Sequence, residues 1–336
     1  MRPVVAVVLH QALLFSACDT ARRAVGARVA EPLAAQVSAA QPTGSWTNAH
    51  PADGVHRRSA NPALNSADMT GAAPVGRSRG EWTVALPAQQ PSVPGVRLVG
   101  FLERTGLPFS ELLLPSPTVS IVIDCAGGSL SATSVGSAAL VSGVAPANER
   151  VHGSYIDCLE VELSPLLVPA LFDVDPRDLG HAVVALDELW GRDAERLTNQ
   201  LHQVQSWERR FAELDNVLVR RYNARARPDG EIVDAWRRII RSGGQVSITA
   251  LTERYGWSRT RLWRRFTSQL GISPKHAARI ARFHGALRRI SRGEELAAVA
   301  AASGYTDQSH MHREFREFTL TTPKSFQGDP LWSELT

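Results

Sequence analysis

The sequence predicts an α+β chain: a small N-terminal β-barrel or sandwich module with a helical extension, then an all-α domain of two tandem helix-turn-helix units. Three observations predict it. Short apolar and β-branched runs broken by turn residues fill about 95–165. Apolar residues at three- and four-residue spacing take over through 165–222. The turn signature Tyr255-Gly256-Trp257-Ser258 returns about 49 residues later as Gly304-Tyr305-Thr306-Asp307. A chain of 336 residues holds two ordinary domains plus tails. The divisions expected are 1–84, 85–165 (β-rich), 166–226 (helical) and 227–328 (tandem helix-turn-helix).

The first 84 residues are rich in Ala, Ser, Pro, Asn and Gly. Such a segment buries too little surface to offset its ordering entropy, so it is expected to be disordered or a mis-assigned extension, with Met69 as an alternative start. Its beginning imitates a secretory or lipoprotein signal: Arg2, apolar 4–8, then small and apolar residues before Cys18, interrupted by His10 and Gln11. An exported or lipid-anchored binding protein is therefore the main alternative to a cytoplasmic one. No other run approaches the ~18 apolar residues of a membrane span, and no membrane partner is expected.

Strand-like runs lie at 96–102, 112–114, 118–124, 138–144 and 155–163, separated by Gly127-Gly128, Gly136, Pro146 and Gly153. Cys18, Cys125 and Cys158 have no CxxC spacing, so neither a disulfide framework nor a zinc site is indicated, and Cys125 and Cys158 read as buried thiols. Only His152 lies in the strand region, too few for a metal-binding barrel. Glu160 and Glu162 share a strand face and are expected to be solvated. With no Gly-rich phosphate loop and no Ser-His-Asp arrangement, no catalytic residue, metal or cofactor is assigned. A small-molecule enzyme in the β-module is the second alternative.

In the helical extension Leu197, Leu201, Val204, Trp207, Phe211, Leu214 and Leu218 form one apolar stripe, with Asp193 and Glu195 near its start and Arg220-Arg221 at its end, favourable for the helix dipole. Either the β-module covers that stripe or a second copy does, making a homodimer. Residues 223–230 form a polar hinge. Residues 232–241 then turn Ile232, Trp236, Ile239 and Ile240 toward a core.

Each tandem unit has the same mechanics. A Gly supplies the positive φ of a tight turn (Gly256, Gly304), an aromatic plugs the gap between helices (Trp257, Tyr305), and a short polar residue caps the next helix (Ser258, Asp307). The following helices turn Leu262 and Phe266, and Met311, Phe315 and Phe318, inward. Their outward residues are Thr260, Arg261, Trp263 and Arg264 in the first, and Gln308, Ser309, His310, His312 and Arg313 in the second. Arg can make a bidentate contact to guanine and Gln to adenine, while His312 and Arg313 equally suit phosphate. Between the units Pro274 starts a helix whose Ala278, Ile280, Ala281, Ala286, Leu287 and Ile290 are apolar enough to bury it.

The stretch resembles the C-terminal DNA-binding domain of the AraC/XylS family of transcription regulators. The resemblance rests on Gly256, Ser258, Leu262, Arg264, Phe266, Gly271, Pro274, Arg282, Ala286, Val299, Ala300, Gly304, Tyr305, Asp307, Ser309, Arg313, Phe315, Arg316 and Pro323. It implies promoter binding to double-stranded DNA, RNA polymerase as a partner, and an N-terminal module that senses a small-molecule effector or dimerises. Thr252, Arg265 and Leu320 depart from the pattern, standing for a small Ala, an apolar residue and a helix-ending Gly.

Charge agrees with DNA binding. Residues 245–327 carry 14 Lys plus Arg against 6 Asp plus Glu, leaving 23 against 27 elsewhere, so the basic balance is local. Only Lys275 and Lys324 are lysine.

Overall fold

The computed structural model describes residues 77–79, 82–103, 108–127, 130–146, 148–223 and 226–327. The signal-like start and Cys18 lie outside them, as does most of the 1–84 extension. The large sheet gathers β1 (Arg77–Arg79), β2 (Trp82–Ala85), β3 (Val96–Glu103), β5 (Val119–Asp124), β7 (Ala139–Ser142), β9 (Ile156–Leu163) and β10 (Val183–Ala185). Their order is β1-β2-β3-β9-β5-β7-β10, every neighbour antiparallel. A second sheet, β4-β8-β6, uses β4 (Phe109–Leu112), β6 (Ser131–Ala132) and β8 (Arg150–Gly153).

Both sheets are open among the described residues, so the barrel half of the barrel-or-sandwich expectation is corrected: the strands close no ring. The module also starts before residue 85, because β2 pairs with β3 along Trp82↔Glu103 to Ala85↔Gly100.

Period-2 alternation divides the large sheet into two faces. Ile121, Ile123, Leu159, Val161 and Leu163 join the main core under the helices. Val99, Phe101, Ile156, Cys158 and Val122 form the other face, which with the small sheet bounds a cavity. Glu160 and Glu162 are buried, contrary to the solvated expectation; they lie on the central strand between β3 and β5, and Glu160 faces the space between the two sheets. Arg97 pairs with Glu162 at 3.0 Å. Cys125 and Cys158 are both buried thiols, and burial pushes the Cys125 thiol up to about 12.

Short helices follow: α1 (Val168–Leu171), α2 (Pro176–Leu179) and α3 (Leu186–Trp190), then α4 (Arg192–Gln203) and α5 (Trp207–Arg221). The region expected to be helical thus contains a strand, β10, which extends the sheet beside β7. The apolar stripe runs through two helices, since Val204 adopts an extended conformation. Leu197, Leu201, Phe211, Leu214 and Leu218 are buried in the main core. Arg210 donates through a terminal guanidinium nitrogen to Asp157 Oδ2 at 3.0 Å, and the His202 ring hydrogen-bonds the Asp124 carbonyl oxygen at 2.9 Å. The β-module therefore covers the buried part of this stripe.

The C-terminal domain contains α6 (Gly230–Arg241), α7 (Ile248–Tyr255), α8 (Arg259–Leu270), α9 (Pro274–Ser291), α10 (Leu296–Ala302) and α11 (Gln308–Thr319). Helix α9 is its axis. Ser273 caps it through the His276 N–H, Pro274 fits the first turn, where no N–H is needed, and Ile280, Ala281, Phe283, Ala286, Leu287 and Ile290 are buried. Ala278 is only half-buried. Among the described residues no helix is long and apolar enough to cross a membrane.

Candidate nucleic-acid interface

In the first helix pair, Ser247 caps α7 by accepting from Ala250 N–H at 3.0 Å, and α7 ends at Gly256 with φ 61°. That left-handed step suits Gly because it has no Cβ to clash. Ser258 accepts from Arg261 N–H at 3.2 Å and starts α8. Leu262 and Phe266 are fully buried, Phe266 against Trp236 with ring centroids 6.4 Å apart. The opposite face presents Thr260, Arg261, Trp263 and Arg264 to solvent. Trp263 is 56% exposed, a large apolar surface left open on a helix whose other side is packed. The Arg261 guanidinium lies 4.6 Å over the Trp257 ring.

The second pair repeats the plan. Glu295 caps α10 by accepting from Ala297 and Ala298 N–H, and Gly304 takes φ 77°. Tyr305 is buried, and Asp307 accepts from His310 N–H at 2.7 Å to start α11. Met311, Phe315 and Phe318 pack inward, with Phe283 of α9 set edge-on to Phe315 at 4.8 Å. Gln308, Ser309 and Arg313 are exposed, while His310 and His312 are half-buried. His310 packs edge-on against Tyr305 at 5.3 Å and its Nδ1 faces the Thr306 N–H at 3.4 Å, so its ring is held toward the turn. His312 lies 3.5 Å from the Gln308 amide nitrogen.

A buried ionic cluster, none of it among the outward residues, fixes the second helix. Glu314, 4% exposed, accepts from Arg279 Nε at 2.9 Å, from an Arg282 terminal nitrogen at 3.0 Å and from the Tyr305 hydroxyl at 2.9 Å. Burial alone would raise the Glu314 carboxyl, but hydrogen bonds from Arg282 and Arg279 outweigh it and hold it below its ordinary value. Burial and the Glu314 charge push the Tyr305 hydroxyl up. Two arginines three apart on α9 thereby grip one carboxylate of α11. That spacing was the available signal, though nothing in it identifies the partner.

A looser cluster serves the first pair. Asp234 of α6 accepts from Arg238 at 2.8 Å, the Tyr255 hydroxyl at 2.9 Å and Arg254 at 3.0 Å. The hydrogen bond from Arg238 leads in holding its carboxyl down to about 2.

The three departures each have a local account. Thr252 is buried, but its hydroxyl donates to the Thr249 carbonyl at 2.8 Å, so no polar atom is left unpaired. Arg265 pairs with Asp229 at 2.6 Å, tying α8 to the start of α6. Leu320 does occupy the left-handed position expected of a Gly, with φ 56°.

Comparison with known proteins places the family described as "Helix-turn-helix domain" over residues 251–329. An uncharacterized HTH-type transcriptional regulator of Staphylococcus aureus (strain MSSA476) is 32% identical over 85 residues, 25% of this chain and 11% of that protein. The uncharacterized HTH-type transcriptional regulator YbfI of Bacillus subtilis (strain 168) is 36% identical over 66 residues, 20% of this chain and 24% of its own. The chain thus spans about a tenth to a quarter of these relatives. Among solved structures, the C-terminal domain of AraT, a response regulator from Geobacillus stearothermophilus, matches 32% of this chain and 92% of its own at 22% identity and a TM-score of 0.29. ToxT from Vibrio cholerae O395 matches 72% and 100% at 9% identity and a TM-score of 0.42.

Proposed function

With a helix-turn-helix domain of the AraC type at its C-terminus, we propose that the chain is a sequence-specific regulator of transcription that reads promoter DNA with α8 and α11 together, under the control of its N-terminal module. The observation that carries this reading is the opposition of faces on the two helices. Each is anchored by fully buried residues on one side and presents an exposed Arg on the other, Arg264 and Arg313. Arg264, with Thr260, Arg261 and Trp263, is assigned to one major-groove segment. Gln308, Ser309, His312 and Arg313 are assigned to the next, with His310 restricted by its packing on Tyr305.

Promoter binding would bring the chain beside RNA polymerase. A repeated half-site in the selected DNA would report a homodimer. The cavity between the two sheets is the natural seat for a small-molecule effector.

The test is selection from a randomised duplex pool at two salt concentrations, with Arg264→Ala and Arg313→Ala beside the parent chain. One enriched motif is expected, with each variant losing about 1–3 kcal/mol at its own half, and affinity falling steeply with salt. Binding that ignores sequence, or loss in Arg264→Ala with none in Arg313→Ala, would overturn the two-helix reading.

A further inference from the structure

Trp190 packs on Phe172, Trp207 on Phe211, Trp236 on Phe266 and Trp257 on Tyr255, with ring centroids 5.6, 6.1, 6.4 and 5.7 Å apart. Trp263 differs from them. Among the described residues no ring or cation lies on its indole, and its N–H has no acceptor. It stays 56% exposed, although an indole is among the largest apolar bodies a side chain can bury.

Trp263 does not stand on a bare surface. With Thr260, one turn earlier on the same face of α8, it lines an open depression of about 330 Å³. The other walls are Ile248 at the start of α7, Pro274 and Lys275 at the start of α9, and Arg259. Apolar side chains thus converge from three helices, and two exposed cations, Arg259 and Lys275, flank them.

The chemistry of a duplex supplies an occupant for such a place. In the major groove the base edges carry hydrogen-bond donors and acceptors, and one apolar group, the C5-methyl of thymine. A methyl group needs a small apolar recess, which the indole face and the Thr260 methyl provide. Cations on either side suit the neighbouring phosphates. Against an apolar protein surface the same cations would be stripped of water without compensation.

We propose that Trp263 is a specificity-determining residue that reads thymine, its indole face and the Thr260 methyl receiving the C5-methyl group while Arg259 and Lys275 take the adjoining phosphates. The inference rests on the regulator reading above and adds the base type read at one position. The contact uses no hydrogen bond, so its contribution is separable from that of Arg264.

The experiment uses the full chain and the duplex enriched by the selection described above, with binding read by fluorescence anisotropy at one salt concentration. Within the half that Arg264→Ala weakens, each thymine is replaced in turn by deoxyuridine, which removes the methyl and leaves the pairing edge unchanged. At one position the replacement is expected to weaken binding by about three- to tenfold, the worth of one buried methyl group. Trp263→Ala is expected to bind the two duplexes equally. Trp263→Phe, which keeps an apolar face and lacks the N–H, is expected to retain most of the preference, and Arg313→Ala on the other helix to weaken both duplexes alike. Because Trp263 is exposed, its variants are expected to fold, which circular dichroism checks. No responsive thymine, an undiminished preference in Trp263→Ala, or a preference lost as fully in Trp263→Phe as in Trp263→Ala would overturn the proposal. A pool that yields no enriched motif defeats the regulator reading and this one with it. An enriched motif indifferent to the thymine methyl defeats only this one, and turns the depression over to a protein partner.

Discussion

Replacing Leu320 by Gly is expected to stabilise the protein. Leu320 ends α11 with φ 56° and ψ 10°, its N–H bonded to the Arg316 carbonyl at 3.0 Å. An L residue with a side chain loses roughly 1–2 kcal/mol in that conformation through the clash of its Cβ with the following carbonyl. Its side chain is 60% exposed, so truncation forfeits on the order of a few tenths of a kcal/mol of apolar burial. Glycine's greater freedom in the unfolded chain returns roughly 0.4–1 kcal/mol of the gain. The net is about 0.5 kcal/mol in favour of Leu320→Gly. Urea unfolding should show a higher midpoint with an unchanged slope, and Leu320→Ala, which keeps the strained backbone and loses the contacts, should fall below the parent. A Gly variant no more stable than the Ala variant would refute the reasoning, because relief of backbone strain would then not outweigh glycine's entropy cost.

Glu314→Ala strips a shared acceptor from Arg279, Arg282 and Tyr305; it should cost about 3–5 kcal/mol, and a loss under about 1 kcal/mol in urea would show that the cluster does not hold α11. The His276 imidazole is held down to about 4 by burial first and by neighbouring His181 second, against an ordinary value of 6.5. The unfolded chain therefore takes up a proton first as pH falls: this contribution to stability is complete above 6.5, is lost between 6.5 and 4, and after solvent screening amounts to about 1–2 kcal/mol. Unfolding midpoints at pH 7 and 5 should draw together in His276→Gln; an equal pH dependence in both chains would count against it. Gly271→Ala would set a Cβ 2.1 Å from the Pro176 carbonyl oxygen at a residue with φ 77°. It should destabilise by about 2 kcal/mol or more, and a neutral thermal scan would contradict that contact.

The C-terminal half was legible because its signals are local. A Gly at a left-handed turn, a Ser or Asp cap, and apolar residues at helical spacing are each decided within one turn of chain. Gly256 and Gly304 take positive φ, and Ser258 and Asp307 cap α8 and α11. What decides Glu314, Asp157 or Glu160 is a partner tens of residues away, and no periodicity encodes it. The exposed-carboxylate expectation failed for that reason: alternation places Glu160 and Glu162 on one face but does not say that Glu160 faces a second sheet or that Glu162 meets Arg97. Strand β10 was hidden for a related reason, since a three-residue strand between helices has too short a pattern to stand out.

Helix α9 belongs to two neighbourhoods at once. The main core continues from the large sheet into the helices of the C-terminal domain, His284 reaches Pro115, and Gly271 meets the backbone at Pro176 and Gly180. The chain is thus poorly described as beads on a string. A cut in the polar segment before α6 would not release a ready-made reader of DNA but would strip a shared wall from it. A truncated C-terminal domain that bound DNA weakly would be reporting lost support, and its affinity is the wrong baseline from which to judge the intact protein.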